Sequence, residues 1–543
     1  MNSFLTEKKY YLLIPPLFYV FCAAIFLNRP GINADELLFV NAAVGVPNES
    51  VHIFKRFENF PLMLMTYIGA LKSWLYYPVF KMFGVDYLSI RLPMIILTAF
   101  SVNFCTRILY KITSDLYTSL ISGLVVASFP SLVFLTRTDQ GPVAIEFFLK
   151  SLIFLKITQY AIQSDLRKLV WLPFLLGIGV FNKINFIWVV IGILVGAAVW
   201  LKPIFEAFKK SDSKGRYLLL IFIPAVPFLT YIFITGLSQG LNSVFIKDYS
   251  WAALLAKSKV SLAGLQDHYH GFGMLSLQYE HLSNKKLLSF LPINLAYKLM
   301  SYFYIPVIFI SLLAFLFPKP EKARRLYIFW GIYTLVVLTL QFLVLFANAS
   351  WHFFTIFPAG LFLFVLGLYY IFPRATKYLL LILVVFQINS LLIGYSTFAH
   401  ETPKPVWSNK SLEVVNYLKN KPGSVVLLTW GLADQLATFN KTSEKDLNEI
   451  SIFPDSLYDY KVPQVRDFLA NKSRLKKYLF SEVLSKHRPG TLYVYSSERN
   501  AYYFTVECFM ELLKENGFEE KPEKKIYENG KLIFTISKLS KRN

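Results

Sequence analysis

The residues best suited to chemistry stand in polar segments that interrupt long apolar runs. Asn33-Ala34-Asp35-Glu36 sets two adjacent carboxylates just beyond the first run, and the same segment continues into Phe57-Glu58-Asn59-Phe60-Pro61. Thr136-Arg137-Thr138-Asp139-Gln140-Gly141-Pro142 brings a cation and an acid together between two later runs. Asn182-Lys183 is a short polar hinge, and Asn348, Trp351 and His352 share a further turn. A carboxylate kept ionised by nearby cations can accept a proton, and cations gathered at one place can stabilise an anion. Taken singly, each of these residues is equally well a solvated loop residue or an interfacial anchor, because Lys, Arg, Trp and His are common where apolar runs meet water. Short polar turns and long polar loops gathered on one side of the chain together point to a cavity.

The elements that must position these groups follow from composition. A chain of 543 residues that is 55% hydrophobic and only 17% charged has more apolar surface than one soluble core would bury, so it needs lipid as a solvent. Apolar stretches long enough to cross a bilayer fall near 10–28, 90–110, 117–135, 142–162, 168–182, 184–201, 217–236, 299–317, 326–346, 353–372 and 377–395, about eleven transmembrane helices. The net charge of +22 is not the footprint of a nucleic-acid binder, since its basic residues cluster in short segments between apolar runs. Those segments alternate. Lys8 and Lys9, Arg107 and Lys111, Arg167 and Lys168, the stretch from Lys202 to Arg216, Lys319 to Arg325, and Arg374 with Lys377 all fall on one side, as cytoplasmic loops should. This alternation requires a break at Asn182-Lys183 and puts the C-terminus outside. Residues 29–89 and 237–297 are then large outer loops. The three cysteines, Cys22, Cys105 and Cys508, lack metal spacing and form no disulfide framework.

The chain divides into a transmembrane domain, 1–398, and an extracytoplasmic α/β domain, 399–543. The second reads as a helix near Leu412–Leu418, a strand at Ser424–Thr429, helical stretches around Val465–Ser485, a strand at Thr491–Ser496, a helix over Tyr502–Asn516 and a hairpin around Glu528–Gly530. It has no glycine-rich phosphate loop. A lid or docking platform without chemistry of its own is the simpler role for it.

The order of motifs resembles that of the GT-C glycosyltransferases. The acidic pair after the first run, Tyr67-Ile68-Gly69-Ala70-Leu71-Lys72-Ser73-Trp74-Leu75-Tyr76, Phe83-Gly84 through Ser89-Ile90-Arg91-Leu92-Pro93, Arg137 to Pro142, and Phe181-Asn182-Lys183 carry the likeness. It is nearest the family 39 branch, with the protein O-mannosyltransferases and lipid A aminoarabinose transferases, and covers about the first 200 residues well. The resemblance implies a multi-pass membrane enzyme that takes a sugar from a polyprenyl-phosphate carrier at the non-cytoplasmic face and gives it to a lipid, glycan or protein acceptor. It implies Asp35 as catalytic base with Glu36 its neighbour, and Lys183 on the carrier phosphate. Asp139 matches an acidic position of the second outer loop. Glu58 departs from the family pattern, because Asn59 and Phe60 intervene before Pro61.

Physical chemistry fits one dominant carboxylate. A polyprenyl phosphate leaves without being protonated, so the reaction needs a base for the acceptor hydroxyl and cations for the departing phosphate. Asp35 suits the first role and Lys183 with Arg137 the second. Glu58, Asp139 and His352 are candidates for touching substrate or a metal. The acidic pair with Asp139 would allow a divalent cation, Mg or Mn, though nothing in the sequence requires one. Two other functions compete: a transporter or lipid-linked glycan flippase, and an oligosaccharide ligase using a diphosphate carrier. The outer acidic pair, the outer domain and the lack of related halves favour the enzyme over the transporter.

Overall fold

The computed structural model describes residues 10–45, 55–58, 60–65, 67–209, 250–283, 291–343, 350–419, 421, 423–429, 431–439, 447–449, 472–496 and 501–541. Its first helices are α1 (Ile14–Ala24), α2 (Ala34–Val44), α3 (Leu71–Phe83), α4 (Tyr87–Thr113), α5 (Leu116–Ala127), α6 (Pro130–Thr138), α7 (Val143–Gln163) and α8 (Leu172–Asn182). They are followed by α9 (Phe186–Glu206), α10 (Trp251–His270), α11 (Lys298–Leu316), α12 (Glu321–Phe342), α13 (Ala359–Ile371) and α14 (Thr376–His400). Among the described residues, α4, α9, α11, α12 and α14 are long and apolar enough to cross a membrane. The protein is a polytopic α-helical membrane protein.

The remaining expected spans are less regular, for local reasons. α5 and α6 together fill the run 117–135 but bend by 51° between them. Pro130 opens α6, and it forces Phe129 before it into extended backbone, so the helix cannot run straight through. α7 coincides with the run 142–162 but carries Glu146, Lys150 and Lys156. α1 and α13 are short apolar helices. α8 and α9 are separate helices with the break at Asn182-Lys183 between them, as the basic loops require. The expected span 217–236 lies outside the described residues.

Segment 29–89 contains more than helices among its described residues. Strands β1 (Lys55–Phe57), β2 (Phe60–Met65) and β3 (Ile68–Gly69) form a small antiparallel sheet before α3. α3 leaves Leu75, Tyr77, Met82 and Phe83 exposed along its length.

Beyond α14 lies a five-stranded sheet in the order β5-β4-β6-β8-β7, where β4 is Val425–Leu427, β5 Leu447–Glu449, β6 Leu492–Ser496, β7 Phe518–Glu528 and β8 Lys531–Lys541. β4 pairs in parallel with β5 and β6, and β8 pairs antiparallel with β6 and β7. α15 (Ser411–Lys419) and α16 (Leu432–Phe439) build one apolar core against Val425 and Leu427. α17 (Lys472–Leu479) and α18 (Ala501–Glu515) build another against Val426 and Leu428, whose side chains alternate to the opposite face. Asn529 and Gly530, with φ of 50° and 80°, make the tight turn between β7 and β8.

This α/β unit is tied to the membrane body at the loop ahead of α2. Arg29 pairs with Glu528 at 2.8 Å, Gly31 N donates to Trp407 O at 2.6 Å, and Gln435 Nε2 donates to Ile32 O at 2.9 Å. α16 packs along α2 itself.

Candidate active site

Asp35 occupies the first turn of α2, and the sequence Asn33-Ala34-Asp35-Glu36 explains why a helix starts there. Asn33 Oδ1 accepts from Glu36 N at 3.0 Å, and Glu36 Oε2 accepts from Asn33 N at 3.3 Å, a reciprocal capping box. The free amides of the first turn and the helix dipole favour an anion at position 35. The Glu36 carboxylate is also gripped by Arg91 of α4, with Nε to Oε1 and Nη2 to Oε2 each at 2.9 Å. Arg91 further donates to Leu27 O at 2.6 Å, Pro30 O at 2.9 Å and Gly31 O at 3.2 Å, so one buried guanidinium fixes both the loop and the helix that follows it. Glu36 is buried and fully engaged. Asp35, one residue away, is partly exposed.

Two lysines lie within electrostatic reach of Asp35. Lys72 of α3 is buried, its ammonium 2.9 Å from Asp139 Oδ2 and donating to Asp139 O at 2.6 Å and Gly141 O at 3.2 Å, with the Phe39 ring 4.5 Å away. Lys183 is placed by an unusually close approach of two chain segments. Ile68 of β3 bridges to Lys183, Ile184 N donates to Tyr67 O at 3.0 Å, and a Cβ at position 69 would lie 2.1 Å from Phe181 O. Only glycine fits there. The β2–β3 hairpin therefore fixes the break between α8 and α9, and with it the lysine.

Electrostatics bind these groups into one cluster. Burial raises the Asp35 pKa above the ordinary carboxylate value, Lys183 and Lys72 oppose that rise, and Glu36 adds to it. Burial lowers the Lys183 pKa, opposed by Glu146, Asp139 and Asp35. Burial also raises Asp139, opposed by Lys72. Among the described residues, neither the Asp35 carboxylate nor the Lys183 ammonium is taken up by an ion pair or a side-chain hydrogen bond, whereas Glu36, Lys72 and Asp139 are. His352 Nδ1 lies 3.4 Å from Asn185 Nδ2; burial and the charges of Lys183 and Lys257 push its pKa well down, so it is neutral near pH 7.

Two sequence candidates fall elsewhere. Arg137 is buried on α6, donating through Nη2 to Phe26 O and, at 2.9 Å, to Arg29 O, with its guanidinium 4.6 Å from the Phe398 ring centroid. Its partners among the described residues are the backbone at Phe26 and Arg29 and the Phe398 ring, and none of these contacts joins it to Lys183. Glu58 is exposed at the turn between β1 and β2, with φ of 51°. Among the described residues, no three His, Cys, Asp or Glu side chains form a metal-ligand set. The carboxylates of the cluster stand instead beside ammonium groups, which does not suit a divalent cation.

No protein-family model matches the chain, and no curated protein matches it in sequence. Solved structures do match. The crystal structure of ArnT from Cupriavidus metallidurans bound to undecaprenyl phosphate superposes with a TM-score of 0.50 at 8% identity, over 99% of this chain and 98% of that one. The apo state of the same protein gives 0.43 at 8% identity over 98% of each chain. This chain has the GT-C fold. The likeness runs through both the helical body and the C-terminal sheet.

Within this GT-C body, Lys72 and Arg91 lie in stretches that carried the resemblance, yet the sequence analysis assigned neither of them a site role. One available signal was the capping box, in which Asn33 and Glu36 at three-residue spacing mark a helix start and give Glu36 a structural duty. α16, which carries Asp434 onto α2, is only eight residues long and gave no readable period.

Proposed function

We propose that this protein is a membrane glycosyltransferase that moves a sugar from a polyprenyl-phosphate carrier to an acceptor hydroxyl at the non-cytoplasmic face. The observation that carries the reading is the uncommitted pair Asp35 and Lys183, close enough to feel each other's charge while the surrounding acids and bases are engaged. The undecaprenyl phosphate bound by the ArnT of like fold supports a carrier of that chemical class.

In this reading the acceptor oxygen attacks the anomeric carbon from the face opposite the phosphate. The new carbon–oxygen bond forms as the bond to the phosphate oxygen breaks, so the anomeric configuration inverts. Asp35 takes the acceptor's proton, and Lys183 stabilises the charge that grows on the departing polyprenyl phosphate. Glu36 and Arg91 hold the turn that aims Asp35, Lys72 with Asp139 supports the opposite wall, and Arg137 fixes the loop at Phe26 to Arg29. His352, neutral beside Lys183, is a hydrogen-bonding neighbour for the donor. The N-terminus and the basic loops lie in the cytoplasm.

The test is transfer from a panel of radiolabelled polyprenyl-phosphate sugars by the purified protein in lipid, run beside polyprenyl-diphosphate glycans. Product formed only from monophosphate donors supports the reading. Product only from diphosphate donors makes the protein a ligase, and movement of donor across vesicles without transfer makes it a flippase.

A further inference from the structure

The C-terminal sheet holds polar groups that the mechanism above does not use. β4 lies between its two parallel neighbours, β5 and β6, and the helices that connect them cover opposite faces of the sheet. Open α/β sheets bind ligands outside the carboxyl ends of their strands at this kind of reversal. At the carboxyl end of β4 the Thr429 hydroxyl is 2% exposed and, among the described residues, has no hydrogen-bond partner. Gln435 of α16 is 3% exposed; its Nε2 donates to Ile32 O at 2.9 Å, but its Oε1 is likewise unpartnered. Buried polar atoms are rarely left so, because each unmade bond costs on the order of 1 to 3 kcal/mol.

Gly431 and Gln435, which follow Thr429 in the chain, abut the turn that carries Asp35. A Cβ at position 431 would lie 2.9 Å from Ala34 Cβ, and Gln435 touches the loop two residues before it. Between these contacts stands Asp434, partly exposed, with Oδ1 accepting from Asn41 Nδ2 at 3.3 Å. Burial raises its pKa to about 7, and the Asp35 charge adds to the rise. The soluble unit and the membrane body thus each present a partly exposed carboxyl to one seam.

We propose that this seam is the acceptor subsite, that Thr429, Asp434 and Gln435 hold the acceptor against Asp35, and that the acceptor is a sugar presenting several adjacent hydroxyls. Gln435 Oε1 and the Asp434 carboxylate accept hydrogen bonds and the Thr429 hydroxyl can accept or donate, a set that suits the hydroxyls of a ligand. A sugar ring sets several hydroxyls side by side on one rigid frame, a serine or threonine in a peptide presents a single hydroxyl beside its backbone amides, and a phosphate is repelled by both carboxylates. The inference rests on the proposed transfer reaction: one acceptor hydroxyl goes to the anomeric carbon and loses its proton to Asp35, while its neighbours bond to Thr429, Asp434 and Gln435.

The experiment compares the unmodified protein with Asp434→Asn and Thr429→Val, using a labelled polyprenyl-phosphate sugar and three acceptor probes: envelope oligosaccharides, a Ser/Thr peptide library and a phosphorylated glycolipid. Donor affinity is measured separately by equilibrium binding. The expected result is transfer to oligosaccharide, with acceptor KM raised about tenfold by Asp434→Asn and about threefold by Thr429→Val, and with donor affinity unchanged. Thr429→Val is the sharper variant, because replacing an unpartnered hydroxyl by a methyl leaves a purely structural site as stable or more so. Transfer to peptide or phosphate, or unchanged acceptor KM in both variants, overturns the acceptor assignment while leaving the transferase reading intact. Failure of the unmodified protein to bind any donor overturns both.

Discussion

Arg91 holds both carboxylate oxygens of Glu36 at 2.9 Å, one residue from the partly exposed Asp35. The pair is buried, so removing one partner strands the other charge in a low dielectric. Arg91→Leu is expected to cost about 3 to 5 kcal/mol, and Glu36→Gln less, since the amide keeps a hydrogen bond to the guanidinium. Denaturant or thermal unfolding in detergent measures this. Equal, negligible losses for both would mean that the loop and α2 are held by something else.

A second buried pair allows a cleaner test. Lys72 neutralises Asp139 at 2.9 Å, within electrostatic reach of Asp35. Lys72→Met alone should destabilise the protein, and adding Asp139→Asn should recover much of the loss because no orphan charge remains. Additive effects in the unfolding midpoints would show that the two residues are not coupled.

The helical frame was legible because lipid demands long apolar runs with charges at their ends, and such runs show in sequence without knowledge of neighbours. Asn182-Lys183 could be read as a break because two basic loops had to lie on one side. The partners of those charges were not legible. Arg91 reaches Glu36 across 55 residues and Lys72 reaches Asp139 across 67, and nothing in local periodicity encodes which way a side chain turns in a bundle. Arg137 shows the cost of reading position alone, since its polar turn lies level with the others while its guanidinium bonds the chain at Phe26 and Arg29. In the C-terminal sheet, α17, α18 and the Asn529-Gly530 turn followed from pattern. The docking of α16 on α2 did not, because it depends on the packing of one close glycine at position 431 rather than on a motif.

Topology gives an independent check. Cysteine labels at the N-terminus and in the basic 202–216 loop should react only from the cytoplasm, and a label at Asn529, in the turn between β7 and β8, only from outside. A cytoplasmic Asn529 would move the proposed reaction to the other side of the membrane.

Lys183→Ala removes the cation assigned to the carrier phosphate. Transfer at limiting donor should fall by the equivalent of about 2 to 3 kcal/mol, with the protein still folded because no carboxylate is paired to this ammonium among the described residues. Lys183 also opposes the rise in the Asp35 pKa, so its loss should move the acid limb of the rate profile to higher pH. Unchanged turnover and an unchanged profile would reduce this lysine to an interfacial anchor.

The decisive substitution is Asp35→Asn, because asparagine has nearly the same shape but cannot take the acceptor's proton. Turnover should fall on the order of a hundredfold or more, with expression, insertion and donor affinity retained, since Asp35 is bonded to no described partner whose loss would unsettle α2. Under the proposed mechanism the active form of the unmodified protein is the ionised carboxylate. Its pKa is raised by burial, so activity should climb as pH rises through a value above the ordinary carboxylate range and stay high beyond it. In Asp35→Asn that acid limb should vanish from whatever activity survives. Glu36→Gln should keep the limb and lose rate only as far as α2 loosens, which separates the group that takes the proton from the one that holds it in place. A folded Asp35→Asn protein with near-normal transfer and an intact acid limb would assign the base to another residue.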